Sequence, residues 1–484
     1  MDTYDVVVIG GGPAGENAAH YAIKGSARTA AIVEAELLGG ECSYWACMPS
    51  KALLRPVDLL DDARALPGVA GMLSGSLDVE AVLARRDQFT HHHDDSGQVK
   101  WAQGNGIEVV RGRGRLTGER TVEVSGADGE EARTLQATEA VVIATGSNAS
   151  IPPIDGLREA RPWTSRDVTN LREVPGRVAV IGGGVVGCEA VTWLSGLGAR
   201  EVTVIEPERA LLGGLEPFAG ELMARQFAER GIRVLVGTPV DSVQRAAVEN
   251  PGVGMVRSQP ATLSAGGSTF EVDEIVVAAG RRPNSADIGL ERIGIDVGDS
   301  HGFVTTDDHM AVLGAERWLY AVCDVCGRAL LTHMGKYQAR IAGEVIAARA
   351  EGRPLDGLRY RDMADHDMVP AVIFAEPQVA AVGLTEAKAR EKGIEVQALE
   401  YDLGAVAGAS VERDGYCGRA KLIVDQESDV LLGATFVGPE VAELVHAATV
   451  AIVGRVPLDT LWHAVPSYPT VSEIWLRLLE SRAP

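Results

Sequence analysis

Positive charge, cysteine and long apolar runs are all scarce in this chain of 484 residues. Lysine and arginine number 45 against 67 aspartates and glutamates, giving a formal net charge of −22 at pH 7. A field of that sign repels polyphosphate backbones and anionic lipid head groups, which argues against nucleic acid and membrane partners. Six cysteines are too few to staple a secreted scaffold of this length, and in a reducing compartment a close pair of them points to chemistry rather than cross-linking. No apolar stretch reaches the roughly twenty residues of a membrane span; the candidate at 441–453 is broken by Glu443 and His446. The start, Met1-Asp2-Thr3-Tyr4-Asp5, carries acids where an export signal carries bases, and the apolar run after it stops in glycines beyond Ile9. The expectation is a cytoplasmic protein. Its apolar and charged fractions, 46% and 23%, are those of a globular chain, and its length is too great for one core, so two to four domains are expected.

What is present is a pair of nucleotide fingerprints. Val6-Val7-Val8-Ile9 ends in Gly10-Gly11-Gly12-Pro13-Ala14-Gly15 and passes into alanine-rich sequence, which predicts strand, tight turn and helix. Gly10 permits the turn, Gly12 admits a pyrophosphate to the backbone, and Gly15 lets the helix pack closely. Glu34, ending the next strand, can accept hydrogen bonds from a ribose diol. The pattern recurs where Val178-Ala179-Val180-Ile181 runs into Gly182, Gly184 and Gly187, with Glu206 as the second acidic strand end. One such fingerprint is a common accident; two complete copies predict two dinucleotides. A carboxylate at Glu206 accepts a 2′-hydroxyl and repels a 2′-phosphate, so NADH is expected ahead of NADPH, with Arg209 as an opposing charge.

Just beyond the first fingerprint stands Gly39-Gly40-Glu41-Cys42-Ser43-Tyr44-Trp45-Ala46-Cys47-Met48-Pro49-Ser50-Lys51. Cys-x4-Cys alone says little, but the whole string resembles the redox motif of the pyridine nucleotide-disulfide oxidoreductases, the family of dihydrolipoamide dehydrogenase, glutathione reductase and mercuric reductase. The resemblance extends through Val141-Val142-Ile143-Ala144-Thr145-Gly146-Ser147, Ala278-Ala279-Gly280-Arg281-Arg282-Pro283-Asn284 and Leu319-Tyr320-Ala321-Val322-Cys323-Asp324 to a C-terminal part opening near Val369. It implies an α/β fold with two Rossmann-like dinucleotide-binding domains and a C-terminal α+β interface domain. The expected bounds are 1–150 and 281–350 for FAD, 151–280 for NAD(P)H and 351–484 for dimerisation. It further implies a redox-active disulfide in which Cys42 meets substrate and Cys47 faces the flavin. Gly10, Gly12, Gly15, Glu34, Lys51, Thr145, Gly146 and Asp324 would serve FAD, and Gly182, Gly184, Gly187, Glu206 and Gly280 the nicotinamide nucleotide. Lys51 would pair with Glu189, and a homodimer would share its active sites between subunits. No residue is assigned to a resident metal.

The chain departs from that pattern at several places. Members that reduce disulfides carry His-Pro-Thr near the C-terminus, oriented by a glutamate; here Tyr468, Pro469, Thr470 and Glu473 stand in those positions. A phenol with a reference pKa of about 10 is a poor base near neutrality, where an imidazole near 6.5 suits proton transfer. Mercuric reductase also resembles this chain in its tyrosine, but the ending Ser481-Arg482-Ala483-Pro484 has no cysteine pair, and no appended metal-trapping domain is expected. Cys323 replaces a glycine; with Cys326 it reads as packed thiols rather than half of a zinc site. The run His91–His93 reads as a solvated helix end, Tyr44 and Trp45 either shape a pocket or pack, and Cys188 and Cys417 show no activating sequence neighbours. Four activities stay open: reduction of a small disulfide, electrophile or soft metal through the cysteines; direct quinone or dye reduction by flavin; mercuric-reductase-like metal reduction; and a non-catalytic redox-sensing role.

Overall fold

The computed structural model describes residues 1–126, 132–249 and 251–482, so Ala483 and Pro484 of the C-terminal ending lie outside the described residues. The chain divides into two units, one of residues 1–48, 87–148 and 281–366, the other of 49–86, 149–280 and 367 onward.

In the first unit the strand Asp2–Ile9 is flanked by Ala30–Glu34 and by Arg133–Ile143, both parallel to it. Ile107–Arg111 extends the sheet beyond Ala30–Glu34. The long strand Arg133–Ile143 pairs at its start with antiparallel Thr121–Ser125 and at its end with parallel Leu319–Ala321. Val6, Val7 and Val8 are fully buried, as continuous apolar runs are when both sheet faces are covered. The helices Pro13–Ile23 and Thr332–Ala350 pack on one another, and Gly343 is where they meet: a Cβ there would lie 2.6 Å from that of Tyr21. Register places Ile9, Val33, Ile143 and Ala321 at one edge of the sheet. The loops leaving that edge carry the glycine turn, the cysteines, Thr145 and Asp324, at the carboxyl ends where open α/β sheets bind ligands.

The second unit holds a parallel sheet ordered Arg233–Val236, Glu201–Glu206, Arg177–Ile181, Glu274–Val277, and an antiparallel sheet of the three strands Val240–Arg245, Ala261–Ala265 and Ser268–Val272. Arg245 and Glu274 form a wholly buried ion pair at 3.0 Å. A five-stranded antiparallel sheet, Pro370–Ile373, Gln378–Gly383, Leu431–Gly438, Arg419–Asp425, Val396–Asp402, completes it. The helices Leu444–Val453 and Ile474–Glu480 cover it around Phe436 and Leu422. Two mainly parallel nucleotide-type sheets and an α+β domain are the architecture that the sequence implied. No helix among the described residues is long and apolar enough to cross a membrane.

Candidate active site

The two glycine turns are built alike, atom for atom. Gly10 has φ +104°, and a Cβ there would strike Ala144 O at 2.4 Å; Gly182 has φ +110° and meets Ala278 O at 2.4 Å. A Cβ on Gly15 would lie 1.9 Å from Gly10 O, and one on Gly187 1.9 Å from Gly182 O. Gly12 and Gly184, which cap the helices Pro13–Ile23 and Val185–Gly196, face open space instead, with nothing within 4 Å of a Cβ. Neither cap uses a side chain, so the first-turn N–H groups and the helix dipole are presented to an anion. Glu34 Oε2 accepts from Gly11 N at 2.7 Å, and Glu206 Oε2 from Gly183 N at 2.6 Å, which fixes each carboxylate at the lip of its turn. Burial raises the Glu34 carboxyl above its usual range.

Cys42 lies on the short helix Gly40–Tyr44, and Cys47 begins the helix Cys47–Ala65. Both are thiols here. The hydrogen bond with Cys47, then burial, push the Cys42 thiol far up, while Thr332 and Lys336 pull the other way. Cys47 Sγ also lies 3.3 Å from Thr332 Oγ1 at the start of the helix Thr332–Ala350. Asp324 accepts from Ser147 Oγ at 2.5 Å. Arg281 donates to Ser147 Oγ at 2.6 Å and lies 3.6 Å from Asp324 and 3.7 Å from Glu41. The Thr145 hydroxyl donates to Asn284 O at 2.8 Å and so holds its own loop. Gly146 and Gly280 both have positive φ and open space at a Cβ position.

In the second unit, Lys51 Nζ donates to both oxygens of buried Glu189, at 2.9 and 2.8 Å, and sits 4.8 Å over the Phe374 ring. Glu189 also accepts from Phe374 N. Tyr468 is 75% exposed, and its peptide bond to Pro469 is cis. Buried Glu473 accepts from Arg477 at 2.5 Å through Oε1, while its Oε2 has no hydrogen-bond partner among the described residues.

Models of the pyridine nucleotide-disulphide oxidoreductases match residues 4–352, and their dimerisation domain matches 369–478. The chain belongs to the pyridine nucleotide-disulphide oxidoreductase family. A dihydrolipoyl dehydrogenase of Chlamydia muridarum (strain MoPn / Nigg) is 32% identical over 98% of this chain and 96% of its own. A mercuric reductase of Lysinibacillus sphaericus is 28% identical over 98% and 81%. In fold, the oxidoreductase matches the Cu(II) complex of the HOCl-induced flavoprotein disulfide reductase RclA from Escherichia coli with a TM-score of 0.83, at 23% identity over 99% of both chains. It is thus an FAD-dependent enzyme using NAD(P)H. The residues fit both dinucleotides, because Gly12 and Gly184 leave open space beside free helix ends and each turn carries its carboxylate.

Other residues of the oxidoreductase escaped the sequence reading. Thr332 and Lys336 reach the cysteines from a helix far along the chain, and proximity to the Asp324 loop was the one available signal. Glu16, in the first turn after Gly15, is pushed up to about 7 by burial against the pull of Lys336, and its Oε1 has no hydrogen-bond partner among the described residues. Tyr44 and Trp45 pack rather than line a pocket, at 0% and 7% exposure. The His91–His93 run is a short 3-10 turn, and its third ring stacks on Trp45 instead of lying in solvent. Cys417, without activating neighbours in sequence, has Arg225 at 2.9 Å. Cys188 is buried and donates to Gly183 O, with burial raising its thiol. Cys323 is at φ +71°, with burial pushing its thiol up to about 12. No group of three or more metal-ligating side chains occurs among the described residues.

Proposed function

We propose that the enzyme carries two electrons from NADH to the Cys42–Cys47 pair and on to a small disulfide, electrophile or soft metal ion. FAD, when bound, supplies the two-electron relay between nicotinamide and disulfide. Gly10, Gly12, Gly15 and Glu34 would hold its pyrophosphate and ribose, Asp324 its ribityl chain, and Gly146 the open approach at the strand end, with Thr145 fixing that loop. Gly182, Gly184, Gly187, Glu206 and Gly280 would hold the nicotinamide nucleotide, Glu206 favouring NADH. The domain bounds at 150, 280 and 350 belong to the same reading. The observation that carries it is the placing of Cys42 and Cys47 within one side-chain hydrogen bond of each other, with Thr332 Oγ1 3.3 Å from Cys47 Sγ. That arrangement supports one exchanging thiol and one stabilised thiolate, the division of labour that a dithiol relay requires. Lys51, one helical turn beyond Cys47 and fixed by Glu189, adds positive charge.

The acceptor follows from Tyr468. A subunit partner would present it at the cysteines, where a phenol can donate a hydrogen bond to a thiolate but cannot serve as an imidazole does. Soft metal ions exchange between thiolates without a strong base, so an ion of the class named for the mercuric reductase relative suits this site better than a dithiol. Anaerobic NADH should expose two alkylatable thiols in the Cys42–Cys47 peptide. Turnover with Hg(II), Cu(II) or an aromatic disulfide should fall at least about 100-fold in Cys42→Ser. Undiminished turnover of that variant with every acceptor sinks the relay, and undiminished turnover with quinones alone establishes direct flavin reduction beside it. Tyr468→His should raise disulfide reduction by about tenfold or more; no gain would mean that His463 or another group already moves the proton.

A further inference from the structure

Two oddities of the sequence, the aromatic pair inside the redox loop and the histidine run, meet in the first unit. The Trp45 indole stacks on the His93 imidazole with centroids 5.6 Å apart and planes 22° from parallel. Tyr44 lies against the same imidazole at 6.0 Å and against Trp45 edge-on at 5.5 Å. Tyr44 and Trp45 are two of the four residues between Cys42 and Cys47, so the middle of the loop is pinned by a ring from outside it. That ring is itself held in an unusual backbone. His91, His92 and His93 all have left-handed φ, at 49°, 53° and 60°, a conformation that L residues keep only where their surroundings impose it.

The next residues supply the restraint. Asp94 accepts from Ser96 N at 2.9 Å. Buried Asp95 accepts from Leu38 N at 2.7 Å and from Arg111 at 2.6 Å. Leu38 O in turn accepts from Tyr44 OH at 3.0 Å. The segment from His93 to Asp95 therefore grips the redox loop at its entry, through Leu38, and at its centre, through Trp45. Such a clamp bears directly on redox balance. A disulfide demands a narrow Cβ separation and torsion, whereas two thiols do not, so a device that fixes the loop sets how readily the sulfurs join.

We propose that His93 is a positioning residue of the redox loop, acting through its stack on Trp45 to set the dithiol–disulfide equilibrium of Cys42 and Cys47. The inference rests on the reading of those cysteines as the redox pair. The test equilibrates FAD-loaded enzyme in mixtures of reduced and oxidised dithiothreitol. Forming the protein disulfide passes two electrons and two protons to the oxidised reagent, which becomes the dithiol. After alkylation, mass spectrometry of the peptide bearing both cysteines gives the equilibrium constant without any turnover assay. His93→Leu and Trp45→Leu should each shift that constant about tenfold, equivalent to about 30 mV for two electrons. The double variant should shift it no further than the larger single, and Trp45→Phe, which keeps a stacking face, should stay within about twofold of the parent. Constants unchanged in both leucine variants, or fully additive shifts, overturn the proposal. Should Trp45→Leu lose its FAD, His93→Leu on the turn and its aromatic rescue His93→Phe decide the matter alone. A parent enzyme that never forms this disulfide at any ratio overturns the redox reading itself, an outcome distinct from variants that merely match the parent.

Discussion

Asp58 stands on the helix that begins at Cys47, and one of its oxygens is buried with no hydrogen-bond partner among the described residues. Burial, reinforced by Glu376, Asp62 and Asp61 and opposed by Arg55, pushes its carboxyl from 3.8 up to about 7. The folded protein therefore holds this proton more tightly than the unfolded chain. The resulting stability is complete below about pH 4 and is lost as pH rises to about 7. About three pH units at about 1.4 kcal/mol each set a ceiling near 4 kcal/mol, and an effect on the order of 2 kcal/mol is expected once the site relaxes. Asp58→Asn should gain that much in denaturant unfolding at pH 8 and only about a quarter of it at pH 4.5; equal gains at both would show that another group titrates. Such a site was invisible in sequence, because Glu376 arrives from a strand turn more than half the chain away. Arg225 beside Cys417 and His93 beside Trp45 escaped because those partners too are far from one another in sequence. The pairing of Lys51 with Glu189 was reachable because a resemblance supplied the distant partner.

Whole elements were far more legible than single contacts. A strand, a glycine turn, a helix and an acidic strand end follow one another locally, and each is dictated by sterics that one segment carries within itself. The structure shows how far that goes: the clash distances at Gly15 and Gly187 are identical, at 1.9 Å. The turns also offer a test that separates folding from binding. Gly187→Ala would drive a methyl into Gly182 O and should lower thermal stability. Gly184→Ala meets nothing within 4 Å, so it should leave stability and FAD content unchanged while raising the NADH KM about tenfold or more, since the methyl would stand where a pyrophosphate approaches. If KM is unmoved, the second turn does not hold the nicotinamide nucleotide. What local pattern could not supply was orientation within a loop, as Thr145 illustrates by turning its hydroxyl onto Asn284.

At the scale of the molecule the question is what covers the C-terminal helices. Leu444–Val453 buries Leu444, Val445, Ala448, Ala451 and Ile452 in its own core, yet leaves Val450 and Val453 more than half exposed. Trp462, Val465 and Tyr468 are exposed as well, at 52%, 82% and 75%. A helix apolar on both sides needs cover on both, and apolar surface of this extent marks an interface. These residues fall within the stretch that matches the family's dimerisation domain. Val450→Asp combined with Val453→Asp should therefore convert a dimer to a monomer in sedimentation velocity, since two carboxylates cannot be desolvated there without partners. Because Tyr468 is proposed to act on the other subunit's cysteines, the same variant should keep its FAD and its reduction by NADH while losing most transfer to disulfides or metal ions. A monomer with full transfer would place the acid–base chemistry within one chain, and a persistent dimer would move the interface to another face of the protein.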